Sequence, residues 1–261
     1  SEVLRHGRTW ADRIIVQDNG STDGTWEIVQ SMADDIVVPW KQDLRTYNNT
    51  LRADAFNAFR HEAEEDDWWC YKMDADEFYL DDPREFLSRV PRPYHVVMKK
   101  SLDYVVTPGD LEEFDFEGSF SQDRDKLRYL KPVAHPEARF FRHRNRLHWK
   151  PGTIYPRHRG PKYYIPIQVK HYQYRSPQQM QARLDLRNAV PRDRSGKPFR
   201  HIKQTDWREL LVSRDNAVLD RGERTYEAIP VRDKTRRSGI RRLGKRFSDG
   251  VNLVLHSLRI L

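Results

Sequence analysis

Cysteine is almost absent: Cys70 is the only one in 261 residues. A single thiol cannot close an intramolecular disulfide or build a thiolate zinc cluster. A cysteine-poor chain also suits a reducing compartment. Long apolar runs are missing too. Nothing approaches the roughly 18 consecutive apolar residues that a membrane-spanning helix requires, and mean hydropathy is −0.91. Glycine-rich phosphate loops are lacking: there is no G-x-G-x-x-G and no Gly-Lys-Ser/Thr P-loop. That argues against a nucleotidyltransferase or pyrophosphorylase built around such a loop.

What the chain has is charge and aromatic bulk. Lys and Arg total 47 against 39 Asp and Glu, a net charge of +8. A basic surface suits an anionic partner such as a nucleotide, a nucleic acid or an acidic lipid. It is equally what a well-solvated surface looks like. Seven Trp, twelve Tyr and eleven Phe supply the material for a core.

Residues 13–17 form a short apolar run that ends at Asp18 and reads as a buried strand. Asn19-Gly-Ser-Thr-Asp-Gly24 is turn chemistry. Trp26, Val29 and Ala33 then recur at helical spacing, with Asp23 or Thr22 as the expected cap. Residues 36–38 are the next expected strand, stopped by Pro39. This β-α-β order predicts parallel strands. A second helix is expected over 49–64 and a third strand over 68–73. A fourth strand is expected over 94–98, extended or followed by 102–106. Residues 107–168 read as loop-rich, and 165–172 as a strand. Ser176-Pro-Gln-Gln179 is a helix start, with Ser176 capping and Gln179 reciprocating, and that helix should run to about 188. Residues 191–200 read as a linker, followed by helices over 206–219 and 244–261. The expected organisation is a domain over 1–190 and a basic, mostly helical region over 191–261.

Tyr71-Lys-Met-Asp-Ala-Asp-Glu-Phe-Tyr79 is the most informative stretch. Its apolar approach ends in Asp74, Asp76 and Glu77, and like charges held close repel. A divalent cation such as Mg²⁺ or Mn²⁺ suits such hard oxygen ligands. A solvated acidic turn is the plain alternative. Asp18-Asn-Gly-Ser-Thr-Asp-Gly24 is not a calcium EF-hand loop, because Asp23 occupies its sixth position and a strand precedes it. Asp18 and the Asp74/Asp76 pair both fall near carboxyl ends of expected strands, where open parallel sheets bind ligands. His171 is a possible metal ligand or a plain strand histidine. Arg175 could reach a diphosphate or lie on the surface. Glu137, Glu117 and Asp115 are candidate carboxylate bases. Residues 139–150 interleave arginine with aromatics. They suit a phosphate, sugar or single-stranded nucleic-acid site, or a strand pair with rings inside and charges outside.

Taken together and in this order, DNGSTDGT, DADEF and HYQYRSPQQ resemble family-2-type glycosyltransferases with a GT-A fold, over about residues 10–190. The subgroup most similar is bacterial, with DADEF and a downstream HY-x-YRS-x-x-Q. The resemblance implies an α/β fold: a Rossmann-like, mostly parallel sheet flanked by helices, with a helical C-terminal extension. It implies that Asp18 contacts the nucleotide base or ribose, with Asp23 supporting that loop. Asp74 would face the ribose or a metal-bound water. Asp76 and His171 would hold Mn²⁺ or Mg²⁺ against the diphosphate of a sugar nucleotide, UDP being the expected nucleotide, and Arg175 would help with the leaving phosphate. It implies inversion at the anomeric carbon, with Glu137 or Glu117 as base. It also implies a strand upstream of Asp12, where only SEVLRHGRTWA is present.

The expected activity is therefore metal-dependent transfer of a sugar to a saccharide or lipid-linked acceptor, in cell-surface polysaccharide synthesis. The expected location is cytoplasmic. The basic residues 232–246 ahead of VNLVLHSLRIL fit a peripheral contact with an anionic membrane, or a helix packed on its own domain. The competing reading is a basic nucleic-acid-binding protein without catalysis. It predicts steeply salt-dependent binding.

Overall fold

A computed structural model describes residues 2–45, 48, 50–131, 136–157, 160–189 and 203–222. The chain runs α1 (Glu2–Arg8), β1 (Ile14–Asp18), α2 (Thr25–Ser31), β2 (Val37–Gln42), α3 (Leu51–Phe59), β3 (Trp68–Cys70), β4 (Glu77–Tyr79), α4 (Pro83–Ser88) and β5 (Val96–Val105). It continues with α5 (Pro108–Glu113), α6 (Phe120–Asp123), β6 (Tyr129–Lys131), β7 (Glu137–Arg142), β8 (Ile167–His171), α7 (Pro177–Ala189) and β9 (Val218–Leu219). Two compact units result. Among the described residues, one comprises those up to Lys99 and those of Pro136–Gln168; the other comprises those from Lys100 to Lys131 and from Val169 on. The expected boundary at 190/191, the linker over 191–200 and the helix over 244–261 lie outside the described residues.

In the first unit, β1 and β2 pair in parallel, as the β-α-β order predicts. The strand does not stop at Pro39. It continues to Gln42, with an irregularity where Val16 faces Pro39 and Gln17 faces Lys41. A bulge of this kind is one of the few places a strand tolerates proline. α2 begins after Gly24, whose φ of 79° is left-handed, and Asp23 accepts from the Thr25 amide rather than serving as the cap itself. Val3, Leu4, Val29 and Val37 form a core with Ile14, Val16, Trp26, Met32, Met73 and Phe78 packed on it. A second core gathers Phe56, Tyr71, Phe141 and Trp149, with Trp69 set edge-on to Phe56 at 5.0 Å. Such edge-to-face pairs add about 0.5–1.5 kcal/mol to simple burial.

The sheet departs from the mostly parallel arrangement. The β3–β7 and β5–β7 ladders are antiparallel, and so are β5–β6 and β6–β9 in the second unit. β3 ends at Cys70, three residues earlier than expected, and the chain then turns: the Glu77 amide donates to the Asp74 carbonyl at 3.1 Å. Of the two readings of 102–106, the extension holds: it continues the strand expected over 94–98 as β5. For 139–150, the reading as a strand pair with rings inside and charges outside holds only in part. Arg139 and Arg142 are buried together with Phe140 and Phe141. Arg142 survives there by donating to the Tyr94 and Val90 carbonyls and stacking over Trp68.

In the second unit, Tyr104 stacks on Tyr172 at 4.5 Å, and Leu102, Leu130, Val169, Met180 and Leu184 are buried. α7 starts where expected, with Pro177 first and the Gln179 amide donating to the Ser176 hydroxyl. The Gln179 side chain reaches the Arg175 amide instead of that of Ser176. The helix expected over 206–219 is replaced by 3-10 turns at Trp207–Leu210 and Arg214–Asn216, followed by β9. Asp206 and Ser213 each bond the backbone two residues on. Such local side-chain bonds compete with a continuous helix.

Candidate active site

β1 delivers Asp18 to a tight turn. Oδ2 accepts from the Gly20 amide (3.0 Å), the Ser21 amide (2.9 Å) and Gln42 Nε2 (3.2 Å), and Oδ1 accepts from the Ser21 hydroxyl (2.5 Å). Gly20 makes the turn possible, because its φ is +79° and an added Cβ would meet Leu44 at 3.0 Å. Burial alone would raise the Asp18 carboxyl, but Ser21, Gln42 and Gly20 outweigh it and hold it below the usual carboxylate range. The Thr25 side chain and amide likewise lower Asp23, against some repulsion from Asp18.

Beside this turn, Lys41, Gln42, Asp43, Leu44, Arg45 and Asp54 line an open depression of about 670 Å³. Arg45 bridges Asp43 and Asp54, at 2.6 Å to the latter, and pulls the Asp43 carboxyl far below its ordinary value. Sequence reasoning passed over this group. Its one signal is the charged run that follows the second parallel strand.

The Asp74–Glu77 turn sorts its carboxylates. The Asp74 side chain is 41% exposed and meets Lys72 Nζ at 2.7 Å. Lys72 also faces Glu137 at 3.5 Å, so the pair Asp74 and Glu137 shares one ammonium. Asp76 is half-buried. Glu77 points the other way and is only 2% exposed. It is paired with Lys99 and, at 2.6 Å, with Arg139, both of them buried. Burial alone would raise the Glu77 carboxyl, but Arg139 and Lys99 reverse this and hold it well down. Burial opposes the charge on Lys72 too, yet Asp74 and Glu137 raise its pKa on balance. Glu137 further approaches Lys99 at 3.4 Å and Arg139 at 3.8 Å. The result is an alternating chain of charge from the open Asp74 to the enclosed Glu77.

The remaining expected residues belong to the second unit. His171 Nδ1 meets Asp103 Oδ1 at 2.8 Å. That partner is 68 positions away, so no local spacing could have revealed it. Arg175 lies over the Phe120 ring at 5.6 Å. Glu117 accepts from Gln122 Nε2 at 2.6 Å and faces Lys126 at 3.8 Å. Asp115 offers its carbonyl to Lys126 Nζ.

The donor chemistry of these residues fits a divalent cation carried by a diphosphate, which takes only one or two protein carboxylates alongside the phosphates. Asp74 and Asp76 can supply those. With Nδ1 committed to Asp103, a cation at His171 would be met by Nε2, an arrangement familiar from metal-bound histidines. Among the described residues, no group of three or more His, Cys, Asp or Glu side chains is gathered closely enough to hold a metal on its own.

A turn that shapes itself around a buried aspartate and a second turn that sorts its carboxylates both stand after strands of an α/β unit. The family model for glycosyl transferase family 2 matches residues 7–145, more than half of the chain, and spans both turns. The chain belongs to that family: it is a glycosyltransferase of GT-A α/β class, acting on a nucleotide-sugar donor and an acceptor. The match stops before His171 and Arg175. No curated protein matches the chain. Among the described residues, no helix is long and apolar enough to cross a membrane.

Proposed function

We propose that the protein is a metal-dependent, inverting glycosyltransferase that uses a nucleoside diphosphate sugar, with UDP as the nucleotide. The observation that carries this reading is the Asp74–Glu77 turn, which buries Glu77 on two cations and leaves Asp74 and Asp76 only partly buried. Asp74 and Asp76 would hold Mn²⁺ or Mg²⁺. When bound, that ion supplies positive charge against the leaving diphosphate. Asp18 and Asp23 would shape the loop that receives the nucleotide.

In the reaction, the acceptor oxygen bonds to the anomeric carbon from the face opposite the diphosphate. The carbon–oxygen bond to the diphosphate breaks, and its electron pair leaves with the nucleoside diphosphate. The acceptor proton passes to a carboxylate. Of the two expected bases, Glu137 shares Lys72 with Asp74 inside one unit, whereas Glu117 is tied to Gln122 and Lys126 in the other. Glu137 is thus the base we assign. The acceptor would be a saccharide or a lipid-linked saccharide of a cell-surface polymer. The basic C-terminal stretch, which lies outside the described residues, would bring the enzyme to an anionic membrane surface.

Calorimetric titration of UDP, GDP and CDP, with and without Mn²⁺, tests the reading on the native chain and on Asp76→Ala. UDP binding that needs both Mn²⁺ and Asp76 is expected. UDP affinity that Mn²⁺ raises equally in the Asp76→Ala protein would refute the metal role.

A further inference from the structure

Arg139 stands where packing alone would place an apolar residue. It lies in β7 between Ala138 and Phe140 and is fully buried. Burying a guanidinium is costly even when it is paired, and an apolar replacement of a buried ion pair is often neutral or stabilising. Stability is therefore a poor reason for an arginine here. Its local geometry supplies a better one.

The β5–β7 ladder slips at this residue. Val97 faces Phe140 and the next residue, Met98, faces Ala138, so Arg139 is the extra residue of a β-bulge. A bulge re-aims the side chain it carries. Here Nη1 donates to the Lys72 carbonyl at 2.5 Å and lies 2.6 Å from Glu77 Oε2. Nη2 donates to Glu77 Oε1 at 3.1 Å. The Arg139 carbonyl accepts from the Tyr71 amide at 2.7 Å. One residue thus grips the chain on both sides of Met73-Asp-Ala-Asp76. On one flank it holds the backbone at Tyr71 and Lys72, and on the other the carboxylate of Glu77. Lys99 shares the load at Glu77, and its ammonium also approaches Glu137.

We propose that Arg139 is a positioning residue for the donor site, clasping both ends of the segment that carries Asp74 and Asp76. The proposal rests on the reading of that segment as the donor site. The planar, forked guanidinium is suited to two acceptors at once, which a lysine ammonium, a point charge on a flexible stem, is not.

The test compares the native chain with Arg139→Lys, Asp76→Ala and Leu87→Ala. Leu87 is buried on α4 and serves as a control for lost stability. Two quantities are read well below the melting temperature: Mn²⁺-dependent UDP affinity by calorimetry, and amide hydrogen exchange over residues 71–79 by mass spectrometry. Arg139→Lys is expected to weaken UDP binding at least tenfold and to speed exchange over 73–77 at least tenfold. Leu87→Ala should change neither by more than twofold. Asp76→Ala should abolish binding. Unchanged affinity in Arg139→Lys, with or without faster exchange, overturns the positioning role while Asp76→Ala still upholds the donor site. Absence of Mn²⁺- and Asp76-dependent binding in the native chain overturns the donor-site reading and the positioning role with it. If Arg139→Lys does not fold, Glu77→Gln replaces it. That variant removes the charge that Arg139 grips, and the same two readouts decide.

Discussion

Replacing Asp18 separates the loop's shape from its charge. Asp18→Asn keeps one oxygen for the Gly20 and Ser21 amides. Its new amide group can face the Ser21 hydroxyl, which can turn to accept. What it loses is the charge that strengthens each of these bonds. Asp18→Ala loses every side-chain contact, leaving the two backbone amides, the Ser21 hydroxyl and Gln42 without this acceptor. A net hydrogen bond to a charged group is worth about 1.5–3 kcal/mol, and one turn-capping side chain about 0.5–2 kcal/mol. The loop residues around Asp18 are exposed, so water replaces part of what is lost. We expect about 1 kcal/mol for Asp18→Asn and about 2–3 kcal/mol for Asp18→Ala. At about 2–4 °C per kcal/mol for a chain of this size, the alanine variant should melt about 5–10 °C lower. The β1–β2 ladder should survive, because its bond at this point uses the Asp18 main-chain carbonyl, which accepts from the Asp43 amide at 2.7 Å. The pH dependence has a definite sign. The folded Asp18 pKa is lowered, so its stabilisation is complete above the ordinary carboxylate value and is lost as pH falls through the folded value. The gap between native and Asp18→Asn should therefore close below about pH 4. Thermal melts across pH 3–8 measure this. An alanine variant that melts within a degree of the native chain would show that the carboxylate does not hold the turn.

Two further perturbations probe the first unit. Phe56 is fully buried and contacts the rings of Trp69, Phe141, His143 and Trp149, so Phe56→Ala should cost about 3–5 kcal/mol in urea unfolding. A cost below 1 kcal/mol would mean that those rings collapse into the gap or do not form the core. His6 Nε2 accepts from the Tyr79 amide at 2.9 Å, and burial lowers its pKa against the opposing pull of Asp82. A His with a lowered folded pKa gives stability that is complete above about 6.5 and is lost as pH falls below it. Melting temperature should thus drop between pH 7 and pH 5, less steeply in His6→Gln. Equal slopes in the two proteins would remove His6 as the cause. His143, lowered by burial and by Arg60, contributes in the same direction and stays in both.

Elements that rest on short-range pattern were legible. β1, α2, β5, β8 and α7 lie where apolar runs, helical spacing and capping residues put them. The two acidic turns were legible because Asp, Asn and Gly mark turns directly. Strand partners were not, because pairing depends on residues far apart in the chain. The antiparallel partner of β3 is β7, whose residues come some 70 positions later. The same distance hid Asp103 behind His171 and hid the inward course of Glu77, whose cations arrive from β5 and β7. The burial of Arg139 and Arg142 was not legible, because charge in a strand usually means solvent, and only a tertiary partner overturns that rule.

Pro39 has a consequence for how this protein keeps to itself. In the β1–β2 ladder the Ile14 amide bonds the Ile36 carbonyl, and the Asp43 amide bonds the Asp18 carbonyl. Continued through the Val16–Pro39 pair, that pattern turns the Pro39 nitrogen away from β1. Among the described residues no other strand lies against that side of β2. An unpaired strand edge is a template on which a second molecule can add its own strand. At Pro39 the edge has no N–H to offer, and the bulge beside it spoils the register for a neighbour. The break guards a half-buried aliphatic strand against edge-to-edge aggregation, leaving the carboxyl end of the same strand free to serve the Asp18 turn.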